Sequence, residues 1–460
     1  MIKKTITIII LIILSSTIII SMIYNNKNEN KTTISNDESI EQNNTNKEET
    51  PPEKELYKEE ILNGAYPELD EKMIAVYYDG QNWKKADLYS EWYSYQKLNW
   101  ANVVIVKNDK FEEYRKKEIN SIININDIAG FFVWIPRYEY KLFNVNNELV
   151  PEQMIEINFT SKNTPRKTEI KNGLLYTHPA FSVNDGINNY ELNGIWIAKF
   201  EPSLNENNVN ILPNKHPIVS INMAKMWEYA TSISSSYQLS ISSRNITNIE
   251  WGAVAYLTNS QYGKRNNENY QETEKQVFNN NSLGHGETFD NMITGCSSGS
   301  TSKAATTNCS YEYNIPYYGY GASSTGTIYG VYDLSGGAWD CVMGIVSNYP
   351  IKNNLGGYEG QLPNNKRYYS FIITGANMYD RSRGLIGDAT REVLSNTYKY
   401  PNGYAKSWNE DYAYLANNSW PWVKRGGAAG CNHFAGIFAY GITDAISRND
   451  KTFRVVLSEY

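Results

Sequence analysis

The stretch GVYDLSGGAWD, Gly330–Asp340, largely determines how this chain of 460 residues is interpreted. It combines glycines with aromatic residues and the carboxylates Asp333 and Asp340, and Cys341 follows directly. Glycines permit positive φ and close backbone approach, aromatic side chains bury large apolar surfaces, and Asp and Ser side chains cap turns. We therefore predict that the stretch is part of the frame of a fold. A catalytic Asp333–Asp340 pair is the alternative.

The composition favours a binding protein over several other classes. The 37 tyrosines and 11 tryptophans suit loop-rich binding surfaces, although a general bias toward Asn, Ile, Lys and Tyr explains part of the excess. A net charge of −6 without a basic block argues against a nucleic-acid partner. The four histidines are not spaced as metal ligands, so zinc is not expected.

The N-terminus carries a strongly apolar segment. Lys3 and Lys4 precede an apolar run from Ile6 to Ile23, and about 20 apolar residues span a bilayer as a helix. We predict an N-terminal transmembrane signal-anchor over residues 1–24, with a cleaved secretory signal as the alternative. Because lysines stay on the cytoplasmic side, the rest of the chain is expected on the extracellular side of the cell membrane, or secreted after cleavage.

The remaining chain divides by composition into three parts. Residues 25–60 are polar and nearly lack large apolar side chains, which predicts a disordered stalk. Residues 61–127 alternate apolar and polar residues around an Asp79-Gly80 turn, which predicts a small β-rich module. Residues 128–460 contain short strands, many loops and two predicted helices.

The two predicted helices cover Ile218–Ser235 and Ile246–Gly263. In the first, apolar residues recur at helical spacing on one face. In the second, Asn248 is predicted to cap the helix, with Trp251 packing inward.

The four cysteines suggest an oxidising compartment. Cys296 and Cys309 bracket a loop of small residues, and a disulfide closing it would contribute about 3 kcal/mol. Two unpaired thiols are the alternative reading of this pair. Cys341 and Cys431 are left either to pair with each other or to stay buried.

Five motifs in a fixed order resemble the formylglycine-generating-enzyme family, also called the sulfatase-modifying-factor domain. In that family PV-x-x-VSW, EWEYAAR, GLYDMSGNVWEW, RGGSW and GFR follow one another. The resemblance covers roughly residues 131–460. The counterparts here are Pro217–Ser220, Glu250–Tyr256, Gly330–Asp340, Arg425–Ala428 and Phe453–Arg454.

The resemblance implies an α+β, C-type lectin-like fold, loop-rich, with short strands and two helices. It does not extend to the oxidase chemistry. Family members that oxidise cysteine hold copper with two thiolates five residues apart, and a single soft thiolate is a poor copper site. Cys431 stands at the first of these positions, but Gly436 occupies the second. We therefore expect no enzyme of the copper type, although other chemistry in the same superfamily stays an alternative.

Relatives of this fold also serve as display scaffolds, for example the variable proteins of diversity-generating retroelements. In these the segment between RGG and FRV carries the ligand-facing side chains. We predict a ligand-binding face over about residues 428–452, with an ordinary core-completing loop as the alternative. The candidate residues are Asn432, His433, Phe434, Phe438, Tyr440 and Asp444, with Trp420 and Trp422 at the rim.

The partner is accordingly predicted to be a protein or glycan ligand at the cell surface. No cofactor is predicted. The resemblance leaves a structural calcium ion open, with the acidic stretch Glu287–Met292 as a region rich in oxygen ligands. A minor or tip subunit of a surface fibre is a further alternative to the binding function.

Overall fold

The structure is a computed structural model of the chain. It describes residues 54–146, 148–184, 187–205, 208–280, 292–301, 309–346, 370–372, 380–396, 405–444 and 446–460. The predictions for residues 1–24 and for most of the stalk at 25–60 lie outside this described part.

The described residues are organised mainly by strands. The first eleven strands are β1 (Met73–Tyr78), β2 (Trp83–Lys85), β3 (Asn102–Val106), β4 (Ile128–Pro136), β5 (Tyr138–Lys141), β6 (Ile157–Phe159), β7 (Leu175–Thr177), β8 (Ser182–Asn184), β9 (Asn189–Glu191), β10 (Gly194–Ala198) and β11 (Ser203–Asn205). The others are β12 (Asn208–Asn210), β13 (Ser242–Asn245), β14 (Trp339–Val346), β15 (Ser370–Ile372), β16 (Leu394–Asn396), β17 (Ala405–Ser407), β18 (Tyr412–Ala413), β19 (Trp422–Arg425), β20 (Tyr440–Thr443), β21 (Lys451–Thr452) and β22 (Val455–Ser458). The α-helices of this part are α1 (Phe111–Lys116), α2 (Met223–Ser236) and α3 (Asn248–Thr258).

Two large sheets contain most of these strands. The first is antiparallel, in the order β13-β22-β10-β4-β3-β1-β2. The second follows the order β15-β14-β19-β20-β18-β17-β16, and β21 pairs with β14. A three-stranded sheet (β6-β5-β7) and the hairpins β8-β9 and β11-β12 complete the pattern.

The first sheet joins the two ends of the described chain. β1 and β2 form the hairpin predicted from the Asp79-Gly80 turn, in which Tyr78 faces Trp83 across the strands. Asp79 closes the turn by accepting from the amides of Gln81 and Asn82. The boundary drawn at residue 127 falls immediately before β4, inside this continuous sheet, and Lys54–Tyr460 forms one compact unit.

The fold class predicted from the sequence is wrong and is corrected here. Strands in several sheets, and not an α+β mixture, make up most of the regular structure. The physical reason is that long-range pairing, invisible to local periodicity, gathers the short strands into two wide sheets. None of the helices in the described ranges is long and apolar enough to span a bilayer, and the transmembrane helix predicted over residues 1–24 lies outside those ranges.

The two longer helices do form near their predicted positions. α2 begins after Asn222, whose side chain accepts from the amide of Lys225, and it buries Met223, Met226, Ala230 and Ile233. The N-cap of α3 is Thr247, one residue before the predicted cap Asn248, because Thr247 and Glu250 form a capping box. Trp251 of α3 is fully buried, as predicted, and it points toward the second sheet.

Candidate binding site

The guanidinium of Arg454 binds the Gly330–Asp340 stretch to the end of the chain. It donates from Nε and Nη2 to Asp340 Oδ2 at 3.1 and 3.0 Å, and from Nη2 to the carbonyl of Asp333 at 3.0 Å. Its Nη1 reaches the carbonyl of Ala198 in the first sheet at 3.0 Å. Arg454 thus joins both large sheets, which confirms that the stretch is part of the frame.

Three carboxylates surround this guanidinium. Burial raises the pKa of Asp340 to about 6, and it raises those of Asp333 and Glu201 as well, Glu201 by a large amount. Asp333 accepts from the side chain of Asn280 at 2.6 Å and from the amide of Gly295. All three side chains are at most 1% exposed. A substrate therefore cannot reach the Asp333–Asp340 pair, and the structure does not support the catalytic alternative.

A second buried arginine fixes the start of the predicted face. Arg425 donates to Asn248 Oδ1 at 3.2 Å and to the carbonyls of Asp388 and Ala389, each at 3.1 Å. Trp251 donates from Nε1 to the carbonyl of Ile437 at 2.9 Å, which holds the segment from beneath. The segment between β19 and β22 is therefore held at both ends and in its middle by buried groups.

Three of the predicted ligand-binding residues belong to the core. Trp422 and Phe438 are 0% exposed and Tyr440 is 1% exposed. Tyr440 and Trp422 lie in β20 and β19, and the Phe438 ring packs edge-on against Trp408 at 5.4 Å. A side chain with no accessible surface cannot contact a ligand, so these three assignments are corrected to structural roles.

The other predicted residues lie at the surface but at two separate ends of β19. Trp420 is 51% exposed and precedes β19, near the half-buried Asp444, which follows β20. Asp444 is engaged by Lys451 at 3.3 Å and by Arg448 at 3.4 Å. Asn432, His433 and Phe434 lie beyond the opposite end of β19. A four-residue strand separates its ends by about 10 Å, so the sequence grouped two distinct places.

The Ala429–Phe434 loop is one of two parts of the segment that face solvent, the other being residues 446–448. His433 is exposed, Phe434 is half-buried, and their rings lie 4.0 Å apart between centroids. Asn432 has φ 52° and ψ −125°, an uncommon conformation for a residue with a side chain. Its backbone carbonyl accepts from Asn279 at 2.8 Å, whereas its Oδ1 has no hydrogen-bond partner among the residues that the structure describes.

Next to this loop the second sheet contributes a group of side chains that the sequence analysis missed. Lys424, Tyr412 and Trp339 meet above Gly441: a Cβ at Gly441 would lie 3.2 Å from Lys424 Cε, 3.2 Å from Tyr412 Cε1 and 3.4 Å from Trp339 Cη2. Cys431 of the loop packs against Trp339. We call the loop Ala429–Phe434 together with Tyr412 and Lys424 the candidate binding face, and the buried Trp339 packs beneath it.

The surroundings of Gly436 and Cys431 bear on whether this chain could bind copper as the oxidase family does. A Cβ at Gly436 would lie 2.0 Å from Oδ2 of the buried Asp411, so the fold leaves no room for the second cysteine of the oxidase family. Burial raises the pKa of the Cys431 thiol, and it raises that of Cys341 to about 12. Within the described ranges no cluster of three His, Cys, Asp or Glu side chains could hold a metal ion.

The predicted disulfide is present in the structure, whereas the region proposed for calcium lies mostly outside the described residues. Cys296 and Cys309 form the disulfide that the loop composition predicts, with their Cα atoms 5.3 Å apart. Residues 287–291 of the acidic stretch lie outside the described part of the chain.

Comparison with known proteins shows only weak similarity to solved structures. No family model matches the chain, so the resemblance to the formylglycine-generating-enzyme family receives no support from that source, and no curated protein matches it either. Among solved structures, the Major Tropism Determinant I1 variant is similar at 10% sequence identity and a TM-score of 0.28, over 88% of each chain. A TM-score this low supports no inference about function.

Proposed function

We propose that the chain is a ligand-binding protein of the C-type lectin-like kind that presents the candidate binding face to a protein or glycan ligand outside the cytoplasm. The observation that carries the proposal is that buried arginines fix both ends of the segment, while the Ala429–Phe434 loop between them reaches the surface. Arg425 and Arg454 fix the segment through buried hydrogen bonds, while His433 is exposed beside Phe434. A rigid frame under outward-facing aromatic and polar groups lowers the entropy cost of binding.

Two further observations support the proposal. Four of the five motifs of the sequence resemblance, although far apart along the chain, are in contact: Asp340 with Arg454, Asp340 with its strand partner Arg425, and Arg425 with the Trp251 ring at 5.8 Å. The Cys296–Cys309 disulfide favours an oxidising compartment, which is where cell-surface and secreted binding proteins work.

The test is binding of the fluorescently labelled full chain to an array of neutral and acidic oligosaccharides and to a library of displayed peptides. The double variant His433→Ala/Phe434→Ala should weaken binding to any captured probe about tenfold or more, because exposed aromatic anchors dominate such interfaces. Tyr89→Ala is the matched control, since Tyr89 is 50% exposed but lies outside the face. If no probe binds, or if the double variant keeps the parent affinity, the proposal is overturned.

A further inference from the structure

Lys424 differs from the fully buried lysines Lys199, Lys264 and Lys451 in what surrounds its ammonium. Lys199 donates to Asn102 Oδ1 and to the carbonyls of Ile328 and Gly330 at 2.6–2.9 Å. Lys264 and Lys451 are likewise engaged by oxygen acceptors. Lys424, in contrast, makes no hydrogen bond or ion pair within the described residues, and its Nζ lies 4.2 Å from the centroid of the Trp339 ring.

The environment of this ammonium favours an incoming anion. Burial, with Lys451 adding to it, lowers the pKa of Lys424, although Asp450 opposes the shift. A partly desolvated cation that lacks a hydrogen-bonded acceptor gains more from an anionic ligand than a solvated lysine does, and the charge of Asp450 supplies only part of that gain at Lys424. Lys424 is half-buried, so part of its side chain is accessible to solvent next to the candidate binding face.

The neighbouring rings indicate what the anion is attached to. Tyr412 lies 5.8 Å from Trp339 at 73° and 6.5 Å from Tyr414 at 34°, measured between ring centroids. Both tyrosines are half-buried, and aromatic faces are electron-rich, so they attract polarised C–H groups. A sugar ring presents such a face rigidly beside its carboxylate, whereas a flexible acidic side chain does not.

We propose that Lys424 and Tyr412, which pack on the buried Trp339, form a subsite for the carboxylate of an acidic sugar residue in a glycan ligand. This inference rests on the proposed binding function and specifies the ligand class of the same face. The ammonium of Lys424 would pair with the sugar carboxylate, and the sugar ring would stack on the ring of Tyr412. Because residue 441 is a glycine, no side chain lies between Lys424 and Tyr412.

The experiment compares two matched probes, methyl β-D-glucuronide and methyl β-D-glucoside, which differ only in the carboxylate. Titrations of the full chain followed by ligand-observed NMR should give the glucuronide roughly tenfold tighter binding, as expected for a charge-assisted contact. Lys424→Met should remove this preference and Lys424→Arg should keep most of it. Lys97→Met, at an exposed surface pair with Glu91, should change nothing.

Several outcomes would overturn the subsite. They are equal binding of the two probes, an unchanged preference in Lys424→Met, or equally tight binding of N-acetylglutamate, which would indicate an acidic peptide. If array probes bind through His433 and Phe434 while the two sugars bind equally, only the subsite falls and the binding function stands. If neither the array probes nor the sugars bind, both proposals fall.

Discussion

Arg454 and Lys424 are both cations near aromatic and acidic residues, yet the structure uses them in opposite ways. Arg454 is 0% exposed and donates to Asp340 and to the carbonyls of Asp333 and Ala198. Lys424 is half-buried, makes no hydrogen bond or ion pair among the described residues, and has its Nζ 4.2 Å from the centroid of the Trp339 ring. The comparison shows that a charged residue belongs to the frame when the protein itself supplies its hydrogen-bond partners. Whether the residue lies in one of the sequence motifs is a poorer guide to its role.

The largest expected effect comes from removing the cation of the frame. Arg454→Met leaves Asp340, Asp333 and Glu201 as buried carboxylates without a counter-charge, so the free energy of unfolding should fall by about 3–5 kcal/mol in chemical denaturation. Lys97→Met, which breaks an exposed pair with Glu91, should change it by less than about 1 kcal/mol. Similar losses in the two variants would mean that Arg454 does not hold the frame.

A smaller effect is expected where the resemblance to the oxidase family breaks down. Gly436→Cys would place a Cβ 2.0 Å from Asp411 Oδ2, so the free energy of unfolding should fall toward the upper end of the roughly 1–3 kcal/mol typical of overpacking. The variant should also fail to bind Cu(I) stoichiometrically under reducing conditions. Tight copper binding together with parent stability would show that this part of the frame is more adaptable than the structure indicates.

The difference between local and long-range interactions explains how much of the fold the sequence could predict. Composition alone predicted the framing role of Gly330–Asp340, because glycines, buried aromatics and turn-capping acids act locally. Caps and apolar spacing predicted α2 and α3 to within a few residues. The width of the two sheets could not be predicted, because it depends on pairings such as β10 with β22 that lie far apart in sequence.

The candidate face was harder to predict than the frame. Within the segment after β19, the sequence could not separate His433 from Phe438, since the outward direction of each side chain is fixed by β20 and by the strained turn at Asn432. Lys424 and Tyr412 were missed because they come from β19 and β18, outside the segment that the motifs delimit. Their role depends on three strands lying side by side.

A buried histidine of the frame predicts a pH dependence. Burial lowers the pKa of His178 from 6.5 to about 3, so it stays neutral in the fold, where Nε2 lies 2.9 Å from the carbonyl of Gly387. Between these pKa values only the unfolded chain binds the proton. The free energy of unfolding should therefore fall by about 1.4 kcal/mol for each pH unit below 6.5, or about 2 kcal/mol at pH 5.

Comparing the parent with His178→Asn isolates this contribution, because asparagine does not titrate. Burial raises the pKa of Glu392 to about 7 and that of Asp340 to about 6. Raised carboxyl pKa values stabilise the fold as the pH falls, which opposes the histidine, but they act alike in both chains and cancel in the difference. Parallel stability profiles for parent and variant between pH 7 and 5 would exclude a neutral buried histidine.

The smallest expected effect on stability belongs to the face itself. His433→Ala removes an exposed side chain whose ring contact is to Phe434, so the free energy of unfolding should change by less than about 0.5 kcal/mol. Phe438→Ala, five residues further along the same segment, should cost about 3–5 kcal/mol because Phe438 is fully buried. If chemical denaturation showed a comparable loss for both, the Ala429–Phe434 loop would belong to the frame and could not serve as the surface that meets a ligand.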